Sequence, residues 1–345
     1  MPHHSLVSVL GHPELARNLD EIEWNQIIQA ARQTELLGQL SAAIQETMAP
    51  EDIHWRLKRA FDLELLTAQR RSEAAIWEIR NIRHLIPKDI AIVVLKGCAY
   101  VLANDRNASG RQFSDVDILV AEEHLGIVES ALISGGWKPS QVSAYDQKYY
   151  RNWMHEVPPM EHVRRHTTVD LHHAIIPPIS RFAFDPKRLN ESAIEMMPGI
   201  FILSPADRVI HSAIHAFQEG LATKALRDLY DIACLMRQHF SEQQAYMRLI
   251  IRAEELGLKP ILLAGLEAST LVFDTTSPHS ETPGLRGKWL ASAALNAIKP
   301  QTSRGEIMEK LLLAHSHWMK MPWSILVPHL IHKSWLRLVN KHNSQ

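Results

Sequence analysis

Residues 111–120 have the sequence Arg111-Gln-Phe-Ser-Asp115-Val-Asp117-Ile-Leu-Val120. In a β-strand the side chains at i and i+2 point to the same side, so Asp115 and Asp117 would share one face while the apolar residues beside them pack into a core. Two adjacent carboxylates repel each other, and a hard divalent cation with oxygen ligands removes that cost. The stretch therefore predicts a strand with a candidate magnesium site. The alternative is a solvated strand end whose aspartates make turn hydrogen bonds.

The preceding residues predict a second strand that ends in a Lys-Gly turn. Ile90-Ala-Ile-Val-Val-Leu95 is apolar and rich in β-branched residues, which favours a strand buried on both faces. A short helix is expected at residues 98–102, and a helix that begins after a glycine exposes backbone N–H groups that favour a phosphate. The alternative is an ordinary helix entry beside solvated basic side chains. The candidate nucleotide-binding residues are Lys96, Gly97, Cys98, Arg111 and Ser114.

A third carboxylate follows in Thr167-Thr-Val-Asp170-Leu-His-His173. Residues 167–175 predict another strand, one arm of a hairpin that turns near residues 164–166. Three aspartates on one sheet face would suit two-metal phosphoryl transfer. Asp115, Asp117 and Asp170 are therefore the candidate catalytic and metal-binding residues. His172 would lie on the same face, where it could orient a reacting group or simply be a packed imidazole.

Helical periodicity flanks these strands on both sides. Residues 13–86 predict three or four helices, and the period returns after Pro205 at residues 206–218, 223–238 and 242–256. Pro177 and Pro178 are expected to end the sheet. The predicted fold is α+β: a small mixed β-sheet core at residues 87–185, flanked by an N-terminal helical region at 1–86 and a C-terminal helical domain at 186–345.

Composition places limits on the class of protein. The chain has 345 residues, 46% of them hydrophobic, which is enough for a sizeable core. The 37 basic and 38 acidic residues nearly cancel, which argues against a nucleic-acid binder that works by bulk charge attraction. Two distant cysteines favour a reducing compartment. No secretion signal or transmembrane segment is expected, so the predicted location is cytoplasmic.

At these residues the chain resembles the nucleotidyltransferase superfamily with the DNA polymerase β-like fold, and within it a bacterial family of uncharacterised nucleotidyltransferases. The similarity covers about residues 60 to 260. The matching elements, in order, are Lys96-Gly97, Arg111, Asp115-Val-Asp117-Ile-Leu-Val120, Val169-Asp170-Leu-His172, Leu203-Ser-Pro-Ala-Asp207, His215-Ala216 and Leu226-Arg-Asp-Leu-Tyr-Asp231. Cys98 departs from the Gly or Ser that is usual after the first glycine.

The resemblance implies that His215, Arg227 and Asp231 line or brace the cleft. The spacing of Arg227 and Asp231 is equally that of a surface i,i+4 ion pair, which is the interpretation favoured here.

The predicted function is Mg²⁺-dependent transfer of a nucleoside monophosphate from an NTP to an acceptor hydroxyl, with release of pyrophosphate and with Mn²⁺ as a substitute ion. The acceptor, whether a sugar, another small molecule, a protein or an RNA end, is not specified by the pattern. One alternative is a catalytically inactive nucleotide-binding or regulatory protein that keeps this fold for a protein partner. Another is a metal hydrolase that holds zinc through histidines, which needs three or four converging ligands. The candidates are His162, His166, His172 and His173, or His211 and His215.

Overall fold

A seven-stranded mixed sheet lies at the centre of the protein, in a computed structural model that describes residues 5–113, 115–140, 149–151, 153–182, 184–274, 284–299 and 302–328. The strands are β1 (Ile92–Val94), β2 (Asp115–Leu119), β3 (Trp137–Pro139), β4 (Met160–His162), β5 (Thr168–His172), β6 (Ile194–Met197) and β7 (Ile200–Ile202). Their order in the sheet is β3-β4-β5-β2-β1-β7-β6. β2 pairs with β5 and β1 with β7 in parallel, and the other neighbours are antiparallel.

Helices account for most of the remaining described chain. They are α1 (Leu6–Gly11), α2 (Glu21–Gln33), α3 (Leu37–Thr47), α4 (Trp55–Leu85), α5 (Lys96–Ala103), α6 (Leu125–Ser134), α7 (Lys187–Glu191), α8 (Pro205–Gln218), α9 (Ala222–His239), α10 (Gln243–Glu255), α11 (Lys259–Phe273), α12 (Leu285–Ala294) and α13 (Ser303–Lys320). Short 3₁₀ helices lie at Pro13–Asn18, Arg106–Ala108, Glu122–His124 and Leu295–Ile298. The predicted α+β fold, a small mixed sheet with helical flanks, is confirmed.

Local sequence explains where several helices begin. Asp20 accepts the N–H of Glu23 while the Glu23 side chain accepts the N–H of Asp20, a capping box that starts α2. At the start of α8 the side-chain oxygen of Ser204 accepts the N–H of Asp207, and Pro205 suits the first helical position because its missing N–H would have no partner there. The three helices predicted at 206–218, 223–238 and 242–256 match α8, α9 and α10 within one residue at each end.

The sheet separates two apolar cores. One face packs Val116, Ile118, Val169 and Leu171 against α4, α5 and α6. The other face joins Val93, Leu95 and Leu119 to a larger core built from the N-terminal helices and the helices after β7. Because side chains alternate along a strand, the face that carries Leu119 also carries Asp115 and Asp117.

The prediction that Pro177 and Pro178 end the sheet was wrong. β6 and β7 follow these prolines, and β7 pairs in parallel with β1. The residues of β6 are mostly exposed, so this edge strand lacks the alternating burial that would mark it in the sequence. The hairpin predicted near residues 164–166 is confirmed, since β4 and β5 pair antiparallel on either side of that turn.

Candidate active site

The parallel pairing of β2 and β5 brings carboxylates from distant parts of the chain together. The register aligns Asp117 with Asp170 and Asp115 with Thr168. Residues aligned on neighbouring strands project to the same side, so the two aligned carboxylates lie on one face. All three aspartates line a cavity of about 610 Å³ between the sheet, the N-terminal helices and the pair α8 and α9.

Two cationic or hydrogen-bonding side chains hold one oxygen of Asp117. Lys96 Nζ lies 2.7 Å from Asp117 Oδ1, and His172 Nε2 lies 3.0 Å from the same atom. Burial disfavours the ionised carboxylate, but the Lys96 ammonium and the His172 hydrogen bond outweigh it and hold the pKa of Asp117 below its usual range. Lys96 reaches this position from a left-handed backbone conformation, with φ of +48°. Such strain in a non-glycine residue persists only where surrounding contacts fix it.

Asp170 is the carboxylate whose environment least favours ionisation. Burial, followed by the charges of Asp117 and Glu156, raises its pKa to about 7. Its Oδ1 atom is buried and has no hydrogen-bond partner among the described residues. Burial and Asp117 also raise the pKa of Asp115. A buried carboxylate oxygen without a partner, beside two further carboxylates, is the donor set that a hard divalent cation takes.

Arg111 reaches the cavity from the loop before β2 and is buried against α9. Its guanidinium forms an ion pair with Asp231 Oδ1, which also accepts from Asn107 at 3.0 Å, and it lies over the ring of Tyr100. The favoured prediction of a surface ion pair between Arg227 and Asp231 was wrong. Asp231 is buried, and Arg227 instead pairs at 2.6 Å with Glu35, in the turn between α2 and α3.

His215 links α8 to α9 at the cavity wall. Its Nδ1 lies 2.8 Å from Asp228 and its Nε2 lies 2.8 Å from Glu219. Burial opposes protonation, but Asp228 and Glu219 outweigh it and raise the pKa of His215 to about 9. His215 is therefore an imidazolium at neutral pH, and Lys224 pairs with the second oxygen of Glu219 at 2.7 Å.

The family model described as "Uncharacterised nucleotidyltransferase" matches residues 20–274, which span α2 to α11 and the whole sheet. The chain belongs to this family. No curated protein and no solved structure matches the chain significantly. Membership of a nucleotidyltransferase family supports nucleotidyl transfer in general and the binding of an NTP. None of the described helices is both long enough and apolar enough to cross a membrane.

Among the family's glycine-turn residues, Gly97 lines the cavity and Cys98 does not. A Cβ at Gly97 would lie 3.2–3.3 Å from the side chains of Phe113 and Arg111. The absence of a side chain at Gly97 therefore lets the loop before β2 lie close to α5. The buried thiol of Cys98 donates to the carbonyl oxygen of Asp115 at 3.6 Å, and burial raises its pKa well above the usual range. Cys98 thus joins α5 to β2 from inside the core. Ser114 lies outside the described residues.

Several cavity residues had no signal in the sequence analysis. Arg32 comes from α2, Glu35 from the turn between α2 and α3, Glu64 and Arg71 from α4, and Glu156 from the segment before β4. Arg32 and Arg71 are exposed, and their side chains have no ion-pair partner in the part of the chain that the structure describes. They were missed because a charged residue on an amphipathic helix matches the pattern of an ordinary solvated face.

The histidines proposed as zinc ligands do not converge as predicted. His162 packs edge-on against Trp137 and accepts the N–H groups of Arg164 and Arg165, whereas His166 pairs with Glu161 at the surface. His211 lies beside His215, whose two nitrogens are occupied by carboxylates. Over the described ranges, His155, Glu156 and His172 form a group whose three ligand atoms lie within 4.8 Å of one another, whereas Asp115, Asp117 and Asp170 do not form so close a group.

Proposed function

We propose that the protein transfers a nucleoside monophosphate from an NTP to an acceptor hydroxyl and releases pyrophosphate, and that Mg²⁺ binds to Asp115, Asp117 and Asp170. The observation that carries this proposal is the in-register pair Asp117 and Asp170 beside Asp115 in one polar cavity. Bound at these oxygens, Mg²⁺ would neutralise the carboxylates and the charge that develops on the triphosphate. Mn²⁺ has similar ligand preferences and is the expected substitute.

The side chains around the carboxylates support distinct roles. Its position in register with Asp117 suits Asp170 to bind the ion or to accept the proton of the acceptor hydroxyl. The contacts of Lys96 and His172 with one oxygen of Asp117 fix the orientation of this carboxylate. Arg32 and Arg71, which lack ion-pair partners among the described residues, supply cationic groups at the cavity wall for phosphate oxygens.

The structure also supports a proposal for organisation and location. We assign residues 1–86, 87–185 and 186–345 to three regions of one molecule, with β6 and β7 extending the central sheet beyond residue 185. Both cysteines are free and buried. Free cysteines are typical of a reducing compartment, so we propose a cytoplasmic location.

Label transfer tests the function directly. The protein is incubated with Mg²⁺ and each α-³²P-labelled NTP, and the RNA, protein and small-molecule fractions of a cell extract serve as acceptors. We expect one fraction to acquire label and to lose it when Asp117→Asn or Asp170→Asn is used. Asp52→Asn, which changes an exposed carboxylate without side-chain contacts among the described residues, is the matched control. Absence of both label transfer and NTP binding by the wild type would contradict the proposal and favour the inactive, regulatory alternative.

A further inference from the structure

A cluster of nitrogen and oxygen ligands adjoins the three aspartates through His172, and its Glu156 lines the same cavity. His155, Glu156 and His172 each offer one ligand atom, and these atoms lie within 4.8 Å of one another. His172 Nδ1 and Glu156 Oε2 are 3.5 Å apart. Two ligands of a tetrahedral metal with bonds of about 2.0–2.1 Å are separated by about 3.4 Å, so this pair already has the required spacing.

The two nitrogens of His172 face different partners. Nε2 lies 3.0 Å from Asp117 Oδ1, whereas Nδ1 is buried and has no hydrogen-bond partner among the described residues. A metal-binding histidine almost always donates its other ring N–H to a carboxylate or carbonyl, which fixes the tautomer. With the proton on Nε2 and donated to Asp117, the lone pair of Nδ1 is directed towards Glu156. A buried nitrogen that makes no hydrogen bond and faces a carboxylate is suited to bind a metal ion.

His155 supplies the third ligand of the cluster. Its ring centroid lies 5.4 Å from that of His172, and its Nδ1 is also buried without a hydrogen-bond partner among the described residues. The nearby ammonium of Lys96 is neutralised by Asp117, and burial lowers the pKa of Lys320.

Backbone pairing fixes the three residues relative to one another. Glu156 and His172 oppose each other in an antiparallel bridge. The N–H of His173 donates to the carbonyl of His155 at 2.9 Å, and the N–H of Val157 donates to that of Leu171 at 3.0 Å. The segment 155–157 is therefore held against β5 by an isolated bridge and these backbone hydrogen bonds. Ligands fixed by backbone pairing need little reorganisation to bind an ion.

We propose that His155, Glu156 and His172 form a binding site for a transition metal of the Zn²⁺ class, separate from the carboxylate site. Two imidazoles and one carboxylate suit Zn²⁺ rather than Mg²⁺, which prefers oxygen ligands. Bound there, the ion would polarise the Nε2–H of His172 and strengthen its hydrogen bond to Asp117. His155 and Glu156 are then positioning residues, which act on Asp117 through His172.

Metal titration of the full chain tests this site without any assay of transfer. The protein is stripped with a chelator and titrated with Zn²⁺ alone, with calorimetry and a chromogenic competitor as readouts. We expect about one equivalent to bind, and Co²⁺ to give the visible absorption of a tetrahedral nitrogen and oxygen site. His155→Ala should raise the dissociation constant more than about 100-fold, and Glu156→Gln should also raise it.

Two control variants separate this site from its neighbours. Asp115→Asn removes a carboxylate of the proposed Mg²⁺ site and should leave Zn²⁺ binding unchanged. His166→Ala removes an exposed histidine that pairs with Glu161 and should also have no effect. Circular dichroism confirms that each variant is folded. Binding that survives His155→Ala, that requires Asp115, or that is absent from the wild type would overturn the proposal, whether or not nucleotidyl transfer is found.

Discussion

At the scale of single residues, loss of the Asp231 side chain should strongly lower the free energy of unfolding. Its carboxylate neutralises the buried guanidinium of Arg111 and accepts from Asn107. Asp231→Ala would leave Arg111 charged and buried without a partner, which costs about 3–5 kcal/mol of the free energy of unfolding. Urea unfolding followed by circular dichroism measures this loss. The double variant Arg111→Met/Asp231→Leu should recover most of the stability, and equal losses in the single and double variants would contradict the argument.

Lys96 combines a strained backbone conformation with a side chain fixed by an ion pair. Its left-handed backbone costs about 1–3 kcal/mol on its own. The 2.7 Å contact with the buried oxygen of Asp117 exists because this conformation turns the side chain from the start of α5 towards β2. The strain therefore lies where the candidate site needs a fixed ammonium.

At the scale of elements, α3 and the loop that carries Arg111 touch backbone to backbone. A Cβ at Gly38 would overlap the carbonyl oxygen of Gly110, and Gly110 itself has a φ of +72°. We expect Gly38→Ala to lower the free energy of unfolding by at least about 2 kcal/mol and to displace Arg111. Gly126→Ala is the matched control, because nothing lies within 4 Å of its new methyl group and alanine favours the helix α6. Equal stabilities of the two variants in urea would refute this prediction.

The contact between α8 and α9 should depend on pH through His215. Its pKa is raised from 6.5 to about 9 in the folded protein, so the stabilisation from its charge is fully present below pH 6.5. That stabilisation is lost as the pH rises through 9. We expect the free energy of unfolding of the wild type to fall between pH 7 and 10. The free energy of unfolding of His215→Gln should fall much less over the same interval. His84→Gln, at an exposed position, should behave like the wild type; a parallel decline in His215→Gln would contradict the assignment.

At the scale of the whole molecule, one apolar core joins both ends of the described chain. Leu10, Ile27 and Phe61 of the N-terminal helices share it with Leu229 and Phe273 of the helices after the sheet. We expect the regions to unfold together, with coincident urea transitions in far-UV circular dichroism and tryptophan fluorescence. The tryptophans report on separate elements, since Trp24 lies in α2, Trp137 in β3 and Trp289 in α12. Two separated transitions would show that the regions are independent domains.

Many helices and strands could be predicted from the local pattern of apolar and polar residues. The partners of individual side chains could not. α8, α9 and α10 were predicted within one residue because their apolar faces follow the helical period. The shared face of Asp115 and Asp117 follows from strand alternation alone. The partner of Asp231, by contrast, is Arg111, which lies 120 residues away on an irregular loop.

Other features were not predicted because they depend on contacts between distant parts of the chain. The left-handed backbone of Lys96 accompanies a contact with Asp117, 21 residues away, and lysine has no preference for this conformation that the sequence could show. His155 and Glu156 gain a partner only when their segment pairs with β5. β6 was missed because an exposed edge strand after two prolines resembles a loop in sequence.

The ion pair between Arg227 and Glu35 joins residues 192 positions apart in the chain, and both residues line the cavity. During synthesis, the three aspartates would leave the ribosome well before α9, which forms the opposite wall of the cavity. Nascent chains that stop short of α9 should therefore lack a formed pocket. Any chemistry performed in this cavity would begin only once the later half of the polypeptide has folded against the first.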